Sequence, residues 1–180
     1  MTVKFKAVVI DNQNEKFTRD IKEIDSNHLK DGNVLIKIDY SSLNYKDALI
    51  LKDGGKIVRK FPFVPGIDFS GKVVESGDDK FKKDETVICT GFRVGEMYYG
   101  GFSQYAKVDS NFLIKNPKNI DTEQSMMLGT AGFTALQCSF AIKAREELLL
   151  GEKVNDVLVT GATGGVGSIA VMILSKMGYN

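Results

Sequence analysis

The chain is short of the side chains that bind metals. Its 180 residues include one histidine, His28, and two cysteines, Cys89 and Cys138. A structural zinc site takes four Cys or His ligands at short spacings and is excluded. A catalytic zinc with three such ligands would need all of these residues to converge, and their spacing matches no zinc motif, so no metal is expected. The low cysteine count fits a reduced, cytoplasmic protein. No run of about 18 apolar residues is present, so no membrane span is expected. Residues 1–10 lack the long apolar region and small-residue cleavage site of a signal peptide. Neither sign of charge dominates: 24 basic and 23 acidic residues leave a net charge of +1. Without a basic stripe carrying interleaved aromatics, nucleic acid is not an expected partner.

What is present is ordinary globular material, 43% hydrophobic and 26% charged, enough for a real core. Residues 3–10 and 17–24 are apolar-rich runs on either side of a polar turn and predict two strands joined as a hairpin. After Asp31-Gly32, residues Val34, Ile36, Ile38 and Tyr40 alternate with their neighbours, the period of a half-buried strand. Asn44 is a good N-cap, and Asp47 stands three positions later at the positive end of the helix dipole, so a short helix is expected over 45–51, stopped by Gly54-Gly55. Pro62 and Pro65 mark irregular chain. Residues 68–76, 86–90 and 102–108 read as strands, the last following a glycine- and aromatic-rich loop at 91–101. This pattern predicts an irregular β-barrel domain over residues 1–120.

The character changes at residue 121, and residues 121–180 are read as a linker helix and the start of a second domain. Asp121-Thr-Glu-Gln124 is a capping box that opens a short helix. Thr130 is placed to cap a longer one through Phe133, Leu136, Phe140 and Ala144. Residues 157–160 form a fully apolar stretch expected to be a buried strand. A glycine turn at 161–165 follows, then an apolar helix over 166–177 with Gly178 at C′. Strand, glycine turn and helix are the opening of a doubly wound α/β domain, which makes the fold class mixed α/β. A single βα unit cannot bury its strand on both faces. The second domain is therefore expected to be incomplete and the chain a truncation of a longer protein.

The glycine turn carries the strongest chemical signal. In Thr160-Gly161-Ala-Thr-Gly164-Gly165-Val-Gly167-Ser168, a buried strand leads in and a helix leads out. Glycines let the backbone approach a pyrophosphate, and the helix amino end offers N–H groups and a favourable dipole. The spacing is G-x-x-G-x-x-G rather than G-x-G-x-x-G. Thr163 adds a hydroxyl within reach of a phosphate. The same turn also serves tight strand–helix packing without any ligand. The residue that selects NAD or NADP would lie about 20 residues further on, beyond Asn180.

Four strings sharpen this reading: Ser41-Ser-Leu-Asn-Tyr45-Lys-Asp-Ala48, Pro65-Gly-Ile-Asp-Phe-Ser-Gly71, Gly129-Thr-Ala-Gly-Phe-Thr-Ala135 and Val159-Thr-Gly-Ala-Thr-Gly-Gly-Val-Gly167. With Val94-Gly-Glu and Gly100-Gly101, they resemble the medium-chain dehydrogenase/reductase superfamily, in its zinc-free, quinone oxidoreductase-like branch of acrylyl-CoA reductase type. The resemblance runs along essentially all 180 residues. It implies a GroES-like catalytic domain followed by a Rossmann domain, use of NADPH and a homodimer. Zinc alcohol dehydrogenases of the superfamily carry Gly-His-Glu where this chain has Gly66-Ile67-Asp68, and an isoleucine cannot ligate zinc.

The resemblance also implies roles for particular residues. Asn44 and Tyr45 become the catalytic candidates, Tyr45 at the nicotinamide end of the cofactor and Asn44 as a donor to a substrate carbonyl. Thr163, Gly164, Gly165 and Val166 match the phosphate-cradling segment, and Thr130 approaches the nicotinamide ribose. Each has a plainer reading: Asn44 and Thr130 as helix caps, Tyr45 as a packed aromatic. Asp68 is read as a buried, hydrogen-bonded carboxylate. Arg59, Lys60 and Arg93 are either partners for a coenzyme A phosphate or solvated surface charges. Phe92, Met97, Tyr98 and Tyr99 either wall a substrate site or cover the barrel core. His28 is expected to be exposed and inert, Cys138 to lie in the core, and Cys89 to end a strand with no activating base.

The expected activity is hydride transfer from NADPH to the conjugated C=C of a small enoyl-CoA, an enone or a quinone, all small-molecule substrates. The alternatives are a non-catalytic nucleotide-binding or structural protein, or an inactive fragment of the reductase.

Overall fold

A computed structural model describes residues 2–13, 16–54, 56–148 and 155–180. It divides into two compact units, residues 1–129 and 130–180.

The first unit is built on antiparallel strands. Strand β1 (Lys4–Gln13) pairs with β2 (Lys16–Asp25) from Lys4 opposite Asp25 to Gln13 opposite Lys16. Phe5, Ala7 and Val9 are buried at alternate positions, the period a one-sided sheet requires. The remaining strands are β3 (Val34–Ser41), β4 (Asp68–Ser76), β5 (Thr86–Thr90), β6 (Tyr105–Val108) and β7 (Leu113–Lys115). They form one sheet in the order β6-β3-β4-β5-β7. Its inner face is a cluster that includes Val34, Ile36, Phe69, Val73, Val87 and Cys89. Each such large apolar side chain contributes about 1.5–3 kcal/mol by leaving water.

The strand expected over 102–108 begins only at Tyr105. The three residues before it turn to the hairpin instead: the Val8 N–H donates to the Phe102 carbonyl at 2.8 Å, and the Gln104 N–H to the Lys6 carbonyl at 3.0 Å. The short strand β7 follows a turn at Ser110–Phe112 and had no signal in the sequence.

Helix α1 (Tyr45–Asp53) starts at the expected cap, Asn44, and ends at Gly54, whose left-handed backbone lets its N–H reach the Ile50 carbonyl at 2.8 Å. Helix α2 (Thr122–Leu148) opens with the capping box: the Gln124 N–H donates to Asp121 Oδ1 at 2.7 Å, and the Asp121 N–H to Gln124 Oε1 at 3.0 Å. Gly129, at φ 46° and ψ −150°, breaks α2. The non-helical residue is therefore Gly129, and Thr130, expected as the cap, is the first residue of the second helical stretch. By length and composition alone, Thr122–Glu146 is apolar enough to cross a membrane. The break divides it, and its first part buries Ser125 and Met126 in the barrel unit.

The second unit holds the remainder of α2 and helix α3 (Gly165–Lys176). Helix α3 ends in a Schellman motif: the Gly178 N–H donates to the Ser175 carbonyl and the Tyr179 N–H to the Leu174 carbonyl, both at 3.1 Å. Residues 157–160 are not a strand, contrary to expectation. A parallel strand exists only as part of a ladder, and the described residues supply only Asn180 beside this stretch. Leu158 is 89% exposed. The Val157 N–H instead donates to the Asn180 carbonyl at 3.0 Å. Cys138, expected in the core, is also exposed. It lies on the side of α2 away from the exposed Phe133, Leu136 and Phe140, whose apolar spacing marks a face left uncovered within this unit.

Candidate active site

In the barrel unit, the site grows from two buried carboxylates on either side of Asn44. Asp47 is fully buried on the inner side of α1, where its Oδ2 accepts the Asn44 N–H at 2.8 Å and its Oδ1 the Ile67 N–H at 3.0 Å. The first bond is the return half of the capping box, and the second ties α1 to the start of β4. Burial pushes the Asp47 carboxyl above its usual range, and the neighbouring Asp68 charge adds to the rise.

Asp68, also fully buried, accepts Ser42 Oγ at 2.8 Å and Asn44 Nδ2 at 2.9 Å on the same oxygen. It is the hydrogen-bonded carboxylate the sequence reading preferred. Asn44 is therefore both a cap and an aimed amide. Its side-chain amide is held between the two carboxylates, donating to Asp68 Oδ2 at 2.9 Å and also hydrogen-bonding Asp47. A Cβ on Gly129 would lie 2.7 Å from Ser42 Oγ and 2.8 Å from Asp68 Oδ2. The break in α2 thus sits directly on this polar cluster.

Tyr45 stands beside the aimed amide and is 81% exposed, as is much of its neighbour Leu43. The packed-aromatic reading of Tyr45 fails, because as the first helical residue it points away from the buried side of α1 that carries Asp47 and Ile50. Lys46 Nζ holds Glu96 Oε1 at 2.7 Å, which fastens the loop over 91–101 to α1. That loop is also stitched to the chain before β4: the Gly100 N–H donates to the Val64 carbonyl at 2.7 Å and the Gly101 N–H to the Gly66 carbonyl at 2.8 Å. Its side chains divide between the two roles the sequence left open. Tyr98 packs on the barrel core, and Met97 is exposed beside a cleft with Arg59, Lys60 and Arg93. His28 is exposed and hydrogen-bonds Asp25 at the turn that follows β2. Burial pushes the Cys89 thiol far up, which leaves it unreactive. Among the described residues, no three His, Cys, Asp or Glu side chains converge on a point that could hold a metal.

In the second unit, residues 161–166 are exposed and turn into α3. The Gly164 N–H closes the turn on the Gly161 carbonyl at 2.9 Å. The first α-helical bond is from the Ser168 N–H to the Gly164 carbonyl at 2.9 Å, so the N–H groups of Gly165, Val166 and Gly167 come before the helical ladder, and those of the exposed Gly165 and Val166 are open to a ligand. A Cβ on Gly167 would lie 2.1 Å from the Gly161 carbonyl oxygen. The turn folds back so closely only because position 167 is bare. Gly161, Gly164, Gly165 and Val166 border a cleft of about 480 Å³. Backbone donors at a helix amino end, with no side chain in front of them, fit a dinucleotide pyrophosphate.

Residues 30–118 match the alcohol dehydrogenase GroES-like domain. The chain is 45% identical over 177 residues to the acrylyl-CoA reductase AcuI of Ruegeria pomeroyi, a match covering 97% of this chain and 53% of that protein. The chain belongs to the medium-chain dehydrogenase/reductase superfamily.

The relatives of this medium-chain chain include YHDH of Escherichia coli K-12, solved with bound NADPH. It is 41% identical with a TM-score of 0.89 over 97% of this chain and 53% of that one. The yhfP protein of Bacillus subtilis, solved with NAD bound, is 40% identical with a TM-score of 0.86 over 99% of this chain and 53% of that one. The chain spans about half the length of the curated relatives it matches. Three of the residues that matter in this medium-chain site had no role assigned from the sequence. Ser42 and Gly129 lay inside the quoted strings without a reason of their own. Lys46 pairs with Glu96 fifty positions away, which no local pattern reveals.

Proposed function

We propose that this chain belongs to an oxidoreductase that moves hydride from NADPH to the conjugated C=C of a small enoyl-CoA, an enone or a quinone, without zinc. The observation that carries the reading is the bare amino end of α3, where Gly167 leaves room for the turn and the N–H groups of residues 165 and 166 are open. The identity to an acrylyl-CoA reductase and the likeness to a structure solved with NADPH support it. Residues 1–120 form the catalytic domain in this reading, and residues 121–180 open the nucleotide-binding domain.

When bound, NADPH supplies the hydride. Thr163, Gly164, Gly165 and Val166 hold its phosphates, and Thr130 and Tyr45 orient its nicotinamide end. Reduction of an enoyl thioester at the β-carbon builds negative charge on the carbonyl oxygen. Asn44, held in place by Asp68, orients that carbonyl at the amino end of α1. The proton for the α-carbon comes from water, since neither buried carboxylate is open to the site. Two residues support zinc-free chemistry: isoleucine at position 67 and a deeply buried Cys89. The exposed free thiol of Cys138 favours the reducing cytoplasm. The homodimer rests on the family resemblance.

The test is to titrate the protein with NADPH, then add acrylyl-CoA, crotonyl-CoA or a quinone and follow loss of NADPH absorbance. Saturable binding with oxidation by one of these acceptors is the expected result, and no binding overturns the reading. Binding without oxidation by any acceptor selects the alternative, a nucleotide-binding chain without turnover.

A further inference from the structure

Lys46 is the second residue of α1, at the positive end of the helix dipole, where a cation is out of place. Its charge is met from fifty positions away, by Glu96 Oε1 at 2.7 Å. The other carboxylate oxygen of Glu96 faces Arg93 Nε at 3.8 Å, and the Glu96 side chain is only 16% exposed. The turn that carries Glu96 closes on itself: the Met97 N–H donates to the Arg93 carbonyl at 2.9 Å, and the Gly95 N–H to the Tyr98 carbonyl at 2.8 Å. A Cβ on Gly95 would lie 2.6 Å from the Gly66 carbonyl oxygen, so the turn rests backbone to backbone on the chain before β4. The next residue of that chain, Ile67, donates its N–H to Asp47 Oδ1 at 3.0 Å.

A circuit therefore closes within the barrel unit. It runs from α1 to Ile67 through Asp47, from Gly66 to the loop, and from the loop back to α1 through Glu96 and Lys46. Adjacent residues of α1 are held from two sides, Asp47 from the buried one and Lys46 from the exposed one. Phe92 and Arg93, at φ 52° and 61°, take a left-handed backbone that residues other than glycine rarely adopt. Such strain persists only where the surroundings over-determine it. Here Phe92 stacks on Phe112 with 5.1 Å between ring centres, and Arg93 faces Glu96. We propose that Glu96 is a positioning residue: acting through Lys46, it fixes the first turn of α1 and with it the direction of Tyr45. The proposal rests on the reductase reading, in which Tyr45 orients the nicotinamide end of NADPH. Tyr45 is 81% exposed, so its aim depends on the backbone turn that carries it rather than on packing.

The experiment pairs hydrogen exchange with turnover, on the parent, Glu96→Gln, Lys46→Gln, Lys46→Arg and the double variant Lys46→Gln, Glu96→Gln. Mass spectrometry follows amide exchange in the segment that carries the first turn of α1. NADPH absorbance follows turnover with acrylyl-CoA, crotonyl-CoA or a quinone. Glu96→Gln is expected to speed exchange in that segment and to lower kcat, each about two- to fivefold, the worth of one partly exposed ion pair. The KM for NADPH should stay unchanged, because the phosphates are held on the turn into α3. Lys46→Arg keeps the charge and should behave as the parent. In the Lys46→Gln background, Glu96→Gln should have no further effect. Raising NaCl from about 0.05 to about 1 M should speed exchange in the parent and not in Glu96→Gln. Unchanged exchange in the first turn of Glu96→Gln overturns the proposal, as does unchanged kcat in a parent that turns over. A full Glu96→Gln effect in the Lys46→Gln background also overturns it, since Glu96 would then act apart from Lys46. So does faster exchange spread evenly over the barrel unit with Lys46→Arg no better than Lys46→Gln, the mark of a merely stabilising contact. A parent that oxidises no NADPH marks failure of the reductase reading, and the exchange arm then decides the proposal by itself.

Discussion

Three glycines of the turn into α3 are set apart by different physics, so their alanine variants should separate structure from binding. Gly165 has ordinary space around it: an added Cβ would meet the Ala131 Cβ at 3.5 Å, and its φ is not positive. Alanine there lowers the entropy of the unfolded chain and should stabilise by about 0.4–1 kcal/mol. Gly161 has nothing within 4 Å, but its φ is +63°. Alanine there costs roughly 1–2 kcal/mol of left-handed strain, partly offset by the same entropy gain. Gly167 has no room: its Cβ would lie 2.1 Å from one carbonyl oxygen and 2.9 Å from the Ala162 Cα. The clash falls on backbone, which cannot rotate aside, so an overpacking cost of about 1–3 kcal/mol is expected. Thermal unfolding and NADPH titration on all three variants form the assay. Gly165→Ala should melt no lower than the parent yet bind NADPH at least about tenfold more weakly, since its methyl would stand in front of the open N–H groups. Gly167→Ala should lose both stability and binding. If Gly165→Ala kept full NADPH affinity, or Gly167→Ala melted like the parent, the reasoning about this turn would be refuted.

Other outcomes follow from the barrel unit. Asn44→Asp keeps a good cap but sets a second carboxylate against Asp68 in place of a bond now 2.9 Å long. It should destabilise by about 1.5–3 kcal/mol at neutral pH in urea unfolding and recover as the pH falls. Asp47→Asn replaces an acceptor of two backbone N–H groups and should cost about 1–3 kcal/mol. Burial raises the folded Asp47 carboxyl above 3.8. The parent's advantage over this variant should therefore be greatest below pH 3.8 and shrink as pH rises through the raised value; an advantage that grew with pH would reverse the assignment. A thiol reagent should titrate Cys138 in the folded protein and reach Cys89 only after denaturation, because the first is exposed and the second buried.

The barrel was legible where side chains repeat with a simple period. The hairpin, β3 and the limits of β4 and β5 follow from alternation and turn residues, and α1 follows from Asn44, Asp47 and Gly54. The three residues of β7 are too few to show a period. The stretch 157–160 carried the right composition but lacks a partner, and pairing is a property of two segments. Helical spacing through Phe133 and Phe140 was real, yet spacing says only that a face is apolar and not what covers it. At the site, the local half was readable and the distant half was not. The Asn44 cap is a four-residue pattern, while its bond to Asp68 spans 24 positions.

Position 129 closes off a common route to a sturdier protein. Swapping a glycine for a residue with less freedom normally shrinks the denatured ensemble at little cost. Here the dihedral angles and the two oxygens already in place oppose any larger residue independently. Stabilisation here would have to be sought on the flanking residues, and the wide freedom of a glycine in the denatured chain is a fixed cost of keeping the buried carboxylate beside the break in α2.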